Sequence, residues 1–216
     1  MQAVGTVVVF GAAPAQDAAQ LDGTALSCEA LPADFRAIKQ AQGGSLLFAL
    51  LDDAGDPSLA AAAKALRILR RRGGGEALLV LPALPATPGP QAISRLQRAA
   101  QLTCACAVQP VAPASWADAV RCFVEPLAVY GLAGVDAREI HALVRPRAAV
   151  LHASLDVLPE ARDLLVSCRL RPSASLRELD EAARSAAERA PGAKLILAGP
   201  EVSPDDGPRA LAASLF

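Results

Sequence analysis

The sequence has no excess of charge of either sign, and this absence limits the partners that it attracts. Its 216 residues include 21 Lys and Arg and 22 Asp and Glu, so the formal net charge is -1. Such a chain has no general electrostatic attraction to nucleic acid or to acidic membranes. Arg67, Arg70, Arg71 and Arg72 form a local basic cluster, but they end a predicted helix, where the dipole favours cations. We therefore expect protein partners, no nucleic acid and no membrane.

Long apolar runs and export signals are missing as well. The apolar run at residues 7–10 is far too short to span a bilayer, and no basic segment follows Met1. The five cysteines are an odd number, which favours reduced thiols over a disulfide framework. These features predict a cytoplasmic protein.

The sequence also lacks the usual ligand sets and nucleophile motifs. Its two histidines, His141 and His152, have no Ser or Cys partner in a recognisable motif, so we interpret both as structural. Cys104 and Cys106 form a CxC pair, but no second pair completes a zinc site, and we expect small buried apolar side chains. No G-x-x-x-x-G-K-[ST] loop is present. We therefore expect no metal, no cofactor and no catalytic residue.

What is present is an alternation of apolar strands and amphipathic helices. Residues 6–10, 46–51 and 77–81 predict buried strands, and residues 58–72 show helical spacing up to Gly73, Gly74 and Gly75. Strand, helix and strand in this order imply a parallel sheet. A second helix follows around Ile93, Leu96 and Ala100, and then a predicted strand at 103–108. The N-terminal half is therefore predicted to be an α/β unit.

The C-terminal half opens on a long central helix. Ser115 is a suitable N-cap for a helix that carries Trp116, Val120, Phe123, Leu127 and Tyr130 on one face. Ser175 and Glu178 form a capping box for a later helix whose inward residues include Leu176. The remaining predicted elements are a helix at 138–144, strands at 149–153, 163–170, 194–198 and 210–215, and an acidic turn at 202–208. We predict helices on a small mixed sheet.

These patterns predict an α/β fold in three parts. Residues 1–113 form a parallel-sheet subdomain of nucleotide-binding type, and residues 114–136 contain the central helix and the loop after it. Residues 137–216 form a smaller α+β subdomain. The helix is expected to link the two subdomains.

The turns after the predicted strands at 6–10 and 46–51 are poor sites for phosphate. A phosphate cradle needs glycines whose N–H groups converge on the anion at a helix N-terminus. Gly11 is followed by Ala12, Ala13 and Pro14, and Gly55 is surrounded by three carboxylates, Asp52, Asp53 and Asp56. Each loop keeps one glycine. In the alternative interpretation, the aspartates only cap the next helix and face solvent.

The order of these pieces resembles the tubulin/FtsZ superfamily. LLFALLDDAGDPSLAAAAKALRIL (46–69) matches in spacing the segment that carries the fingerprint GGGTGTG, and GLAGVDAREIHALV (131–144) resembles the synergy loop and its helix. Residues 164–199 resemble the strand, capped helix and strand that follow, and ALAASLF resembles the last strand. The resemblance implies a shortened, degenerate FtsZ-like fold whose glycine-rich GTP-binding fingerprint is lost.

The resemblance also implies a contact surface. In the family, acidic residues of the synergy loop enter the neighbouring subunit's nucleotide site. Asp136 and Glu139 match the two acidic positions, whereas Gly134 replaces the asparagine. The alternative is that Asp136 and Glu139 only cap a helix.

The resulting hypothesis is a non-catalytic FtsZ/tubulin-like protein that acts by protein contacts. It would self-assemble, or cap and regulate a tubulin-like filament, a role that belongs to cell division. The alternative is an atypical GTP-binding, self-assembling GTPase with an active site shared between subunits. A third hypothesis is a generic α/β protein of another pathway, because fold does not determine function.

Overall fold

The computed structural model describes residues 5–11, 14, 21, 28–32, 34–41, 45–73, 75–156, 158–202 and 210–216, with the backbone alone for residues 28–32 and for Phe35. Ala12, Ala13, Gly74 and residues 203–208 of the predicted final turn lie outside the described residues. Within these ranges, no helix combines the length and the apolar character that a membrane-spanning segment needs.

Ten described strands form one mixed sheet in the order β2-β1-β3-β4-β5-β7-β10-β8-β9-β6. Only β6 and β10 run antiparallel to their neighbours, so the other eight strands point in one direction. The strands are β1 (Gly5–Phe10), β2 (Cys28–Pro32), β3 (Leu46–Leu51), β4 (Glu76–Val80), β5 (Cys106–Pro110), β6 (Gly131–Ala133), β7 (Ala148–His152), β8 (Asp163–Cys168), β9 (Lys194–Pro200) and β10 (Ala210–Leu215).

Six described helices cover the two faces of this sheet. They are α1 (Phe35–Gln40), α2 (Asp56–Gly73), α3 (Pro90–Thr103), α4 (Trp116–Ala128), α5 (Ala137–Leu143) and α6 (Leu176–Arg189). The first three pack with alternate strand residues such as Val8 and Leu47 on one face, and α6 continues that layer beside β8 and β9. The other face, with Val7 and Phe48, packs against α4 and α5. The predicted α/β class is confirmed.

The apolar strands follow from this layered arrangement. All six residues of β3 are buried, because β3 lies between β1 and β4 and helices cover both of its faces. A strand in such a position has no solvent face, so its sequence is continuously apolar rather than alternating. The parallel pairing predicted for the N-terminal half is present in β1, β3, β4 and β5.

The central helix α4 crosses one face of the sheet near the carboxyl ends of the strands. At its start, Trp116 Nε1 donates a hydrogen bond of 3.0 Å to the carbonyl of Leu51 at the end of β3. Near its end, Glu125 pairs with Arg169, which follows β8. The ten residues at positions 117–126 are all buried. The predicted helix and its N-cap are confirmed: Ser115 and Asp118 form a capping box.

The strands before and after α4 belong to the same sheet. Gln109 of β5 is in register with Val150 of β7, and β7 pairs with β10 on its other side. The strands predicted for a small C-terminal sheet therefore extend the N-terminal one. The division of the chain at residues 113 and 136 stays a prediction.

Three local predictions are wrong. Thr103 is the last residue of α3 rather than the start of a strand, because its hydroxyl bonds back to the Ala99 carbonyl at 2.8 Å and Cys104 ends the helix at φ 51°. Tyr130 lies beyond α4 and is 85% exposed, since the extended residue Val129 ends the helix. Leu176 is 67% exposed, because it is the first residue of α6. The buried residues of this helix are Leu179 and Ala186.

Candidate functional site

The strand order creates a crevice between the carboxyl ends of β1 and β3. From β1 the chain passes to β2 on one side, and the next strand, β3, lies on the other side of β1. In open α/β sheets, ligands bind outside the carboxyl ends of the strands at such a topological switch point. Gly11 follows β1 and Asp52 follows β3, so the two loops that the sequence singled out meet at this position.

The side chain of Asp52 fills the crevice against Gly11. Gly11 has φ of 112°, and a Cβ built on it would lie 1.7 Å from Asp52 Oδ2. The two segments are also joined through the backbone, since Asp52 N donates to the Phe10 carbonyl at 3.2 Å. At the point where a phosphate would approach the backbone of the first loop, the chain therefore places its own carboxylate.

The next turn is stabilised by a second carboxylate. Asp53 accepts hydrogen bonds from Gly55 N at 3.0 Å and from Ser58 Oγ at 3.1 Å. These contacts place Asp53 at the N-terminus of α2, where negative charge is favourable. Asp56 begins α2, and all three aspartates are exposed. The anion position at this helix is thus taken by the protein itself.

Trp116 lies beside the end of β3 on the face that carries α4. Its indole hydrogen bond uses the Leu51 carbonyl, one residue before Asp52. Trp116 is half-buried and packs against the core of that face. Asp52 and Trp116 thus both contact the chain at the end of β3 or next to it.

The structure places Asp136 and Glu139 at the start of α5. They form a capping box at the start of α5: Asp136 Oδ1 accepts from Arg138 N at 2.8 Å, and Glu139 Oε2 accepts from Asp136 N at 3.2 Å. Both side chains are nevertheless exposed. Within the chain, both side chains therefore act as the cap of a helix, as in the alternative interpretation. The side chains also remain accessible to solvent.

The helix α5 borders the amino edge of the sheet. Arg138 and His141 line a surface depression together with Glu76, the first residue of β4. Gly11 and Asp52 lie at the carboxyl edge. The part of α5 that lines this depression, Ala137, Arg138 and His141, therefore lies beside the amino end of β4.

A buried charge network on α4 escaped the sequence prediction. Glu125 is 2% exposed, and both of its carboxylate oxygens accept from Arg169 Nε, at 3.1 and 3.0 Å. One helical turn earlier, Arg121 Nη1 lies 3.4 Å from Asp118 Oδ1. Burial raises the pKa of Glu125, and the Arg169 guanidinium opposes this shift. The spacing of Asp118, Arg121 and Glu125 was the available signal, but it is equally typical of a solvent-facing helix.

The remaining candidate residues are His152 and the two cysteines of the CxC pair. His152 is buried at the end of β7, and burial lowers its pKa. Its Nε2 atom has no hydrogen-bond partner among the described residues. The CxC prediction is half wrong: Cys106 is buried, with its pKa raised to about 12, but Cys104 is exposed because it ends α3 in a left-handed conformation. Among the described residues, no group of three or more His, Cys, Asp or Glu could hold a metal ion.

Comparison with known proteins adds no assignment. The chain matches no protein-family model and no curated protein. The likeness to the tubulin/FtsZ superfamily thus depends on the sequence segments quoted above and stays a prediction.

Proposed function

We propose that this chain is a non-catalytic protein of tubulin/FtsZ type that acts through protein contacts. The observation that carries the proposal is the Asp52 carboxylate, which occupies the switch-point crevice against Gly11. A nucleotide bound there would place its phosphates beside this charge. The proposal therefore assigns the function to a surface of the molecule rather than to a reaction.

Electrostatics favours the absence of nucleotide. A phosphate about 4 Å from a carboxylate is repelled by about 1 kcal/mol in water and by about 4 kcal/mol at the effective dielectric of a protein surface. Micromolar binding totals only about 8 kcal/mol. Asp53 adds to this effect, because its carboxylate already accepts from Gly55 N and Ser58 Oγ at the start of α2.

The exposed acidic pair of α5 supports a mode of assembly in which the two ends of the subunit differ. Asp136 and Glu139 are exposed in the first turn of α5, which borders the amino edge. A subunit that offers this pair to a neighbour, but has no nucleotide at its carboxyl edge, can join one end of a filament and cannot accept the next subunit. We propose that the chain caps or regulates a tubulin-like filament in this way.

Sedimentation of FtsZ-type filaments tests this function. At stoichiometric amounts, the protein is expected to reduce polymer mass or filament length, and the D136A/E139A variant is expected to lose the effect. The matched control is S175A/E178A, which removes the corresponding capping box of α6. Unchanged polymer mass and length with the wild-type protein would contradict the capping role.

A further inference from the structure

The structure contains a cavity of about 480 Å³ between α2 and α3 that the proposed function does not use. Pockets for small ligands usually measure about 300–1,000 Å³ and are mostly apolar with a few polar groups. This cavity lies over the carboxyl ends of β4 and β5, two strands along the sheet from the switch point. Its size and its position at the ligand-binding edge qualify it as a separate site.

The walls of the cavity are apolar. Eight of its twelve lining residues are Ala or Leu, and the larger of these are Leu59, Leu81, Leu84, Leu96 and Leu102. Leu102 is 59% exposed, which is unusual for a large apolar side chain in this protein. A ligand with an apolar body would remove this surface from water, at a gain of about 25 cal/mol per Å².

The floor of the cavity is held by backbone hydrogen bonds. Leu81 N donates to the Val108 carbonyl and Leu84 N donates to the Pro110 carbonyl, both at 2.9 Å. Gln109 donates its side-chain amide to the Pro82 carbonyl. These bonds fasten the segment after β4 onto β5, so the cavity is preformed.

The rim of the cavity is positively charged. Arg95 and Arg98 lie one turn apart on α3, both are exposed, and neither forms an ion pair with another described residue. Asp56, at the start of α2, is the one carboxylate among the lining residues. Two unpaired guanidinium groups beside an apolar cavity complement a ligand that has an apolar body and an anionic head.

We infer that this cavity binds an apolar organic anion, such as a medium-chain carboxylate. The alkyl part lies against Leu59, Leu84 and Leu102, and the carboxylate accepts hydrogen bonds from Arg95 and Arg98 at the rim. This site goes beyond the proposed function and does not depend on it. It adjoins the loop of Asp52 and Asp53 through Ala54 and Asp56, but the residues that would hold its ligand are others.

Isothermal titration calorimetry with decanoate tests the inference. Decanoate is expected to bind at one site, and decyltrimethylammonium, with the same alkyl chain and the opposite charge, is expected to bind at least about fivefold more weakly. The R95Q/R98Q variant should raise the Kd for decanoate by about fivefold, since an exposed ion pair contributes up to about 1 kcal/mol and 1.4 kcal/mol is tenfold. The control R71Q/R72Q removes the same charge from the far end of α2 and should leave the Kd unchanged.

A second pair of variants tests the apolar wall. L102E places a carboxylate beside the bound anion and is expected to abolish decanoate binding. L176E changes a comparably exposed leucine on α6 and is expected to bind normally. Absence of decanoate binding by folded wild-type protein, equal binding of the cationic probe, or L102E and R95Q/R98Q variants that bind like wild type would each overturn the inference. None of these outcomes bears on nucleotide or filament binding.

Discussion

At the scale of single residues, the switch point depends on the fit between Gly11 and Asp52. Gly11 has a backbone conformation that L-residues with a Cβ rarely adopt, and the Asp52 carboxylate occupies the space that a side chain would need. A second close approach occurs at Gly131, where an added Cβ would lie 2.0 Å from the Gly199 carbonyl oxygen of β9. Both glycines are thus required by local geometry, whether or not a ligand binds nearby.

The G11A variant is expected to lower the free energy of unfolding by about 1–3 kcal/mol, the usual cost of a strained backbone conformation. The double variant G11A/D52A should recover only part of this loss, because it relieves the contact with Asp52 and leaves the strain at φ 112°. Urea unfolding of the two variants and of D52A measures each contribution. If G11A were as stable as the wild type, the positive φ assigned to Gly11 would be wrong.

At the scale of elements, α4 carries an unusual number of buried charges for a central helix. Asp118, Arg121 and Glu125 are each at most 9% exposed, and Arg169 joins them from the end of β8. A buried ion pair contributes little net stability relative to an apolar pair, but removal of one partner leaves an uncompensated charge. The network therefore ties α4 to β8 in a fixed register.

The R169A variant is expected to destabilise the protein by about 3–5 kcal/mol, because it leaves the Glu125 carboxylate buried without its partner. The loss should be smaller at acidic pH, where Glu125 is protonated. In the E125L/R169M variant, apolar residues replace both partners, and most of the stability should return. Equal stability of R169A and the wild type in chemical unfolding would show that the pair does not hold α4.

The elements that could be predicted are those whose signals are local. The apolar run of β3, the N-cap at Ser115, the capping box at Ser175 and the helical spacing of α2 need no knowledge of distant residues. The sequence does not predict the short elements α1, β2 and β6, because their six, five and three residues give too short a pattern. The predicted strand at 103–108 begins too early. Threonine favours strands, but the Thr103 hydroxyl donates a hydrogen bond to the Ala99 carbonyl of α3.

The candidate site was only partly predictable for the same physical reason. The sequence singled out Gly11 and Asp52 separately, but only the parallel pairing of β1 with β3 shows that they meet. Similarly, nothing local relates Glu125 to Arg169, which are 44 residues apart. The cavity between α2 and α3 is formed by two helices and the ends of two strands, so its apolar residues resemble ordinary core positions in the sequence.

At the scale of the whole molecule, one continuous sheet joins the N-terminal and C-terminal halves. Because eight strands point the same way, one edge collects the carboxyl ends of β1, β2, β3, β4, β5, β7, β8 and β9, and with them Asp52, His152 and Arg169. Ala137, Arg138 and His141 of α5 lie beside Glu76, at the amino end of β4. This polarity is the structural basis of the proposed capping role.

The stability of the molecule should depend on pH through His152. Burial lowers its pKa below the usual 6.5, so below pH 6.5 the unfolded chain binds more protons and stability falls with the pH. The raised pKa of Glu125 acts in the opposite direction, with stability lost as the pH rises through the window above 4.5. The H152L variant isolates the first contribution.

Between pH 7.5 and 5.5, the wild type is expected to lose more unfolding free energy than H152L, because burial lowers the pKa of His152 and the unfolded chain binds the proton more readily. Chemical unfolding at several pH values measures the two curves. Parallel curves would mean that His152 is not held neutral by burial.

The most direct test of the account is calorimetry of guanine nucleotide binding, with and without magnesium, because a filled switch-point crevice is its central claim. The titration should use protein at concentrations that detect a Kd of about 100 µM, which corresponds to about -5.5 kcal/mol. The account predicts no saturable heat from a folded sample under either condition. Saturable binding of GTP or GDP would contradict it and would favour a GTPase whose active site is shared between subunits.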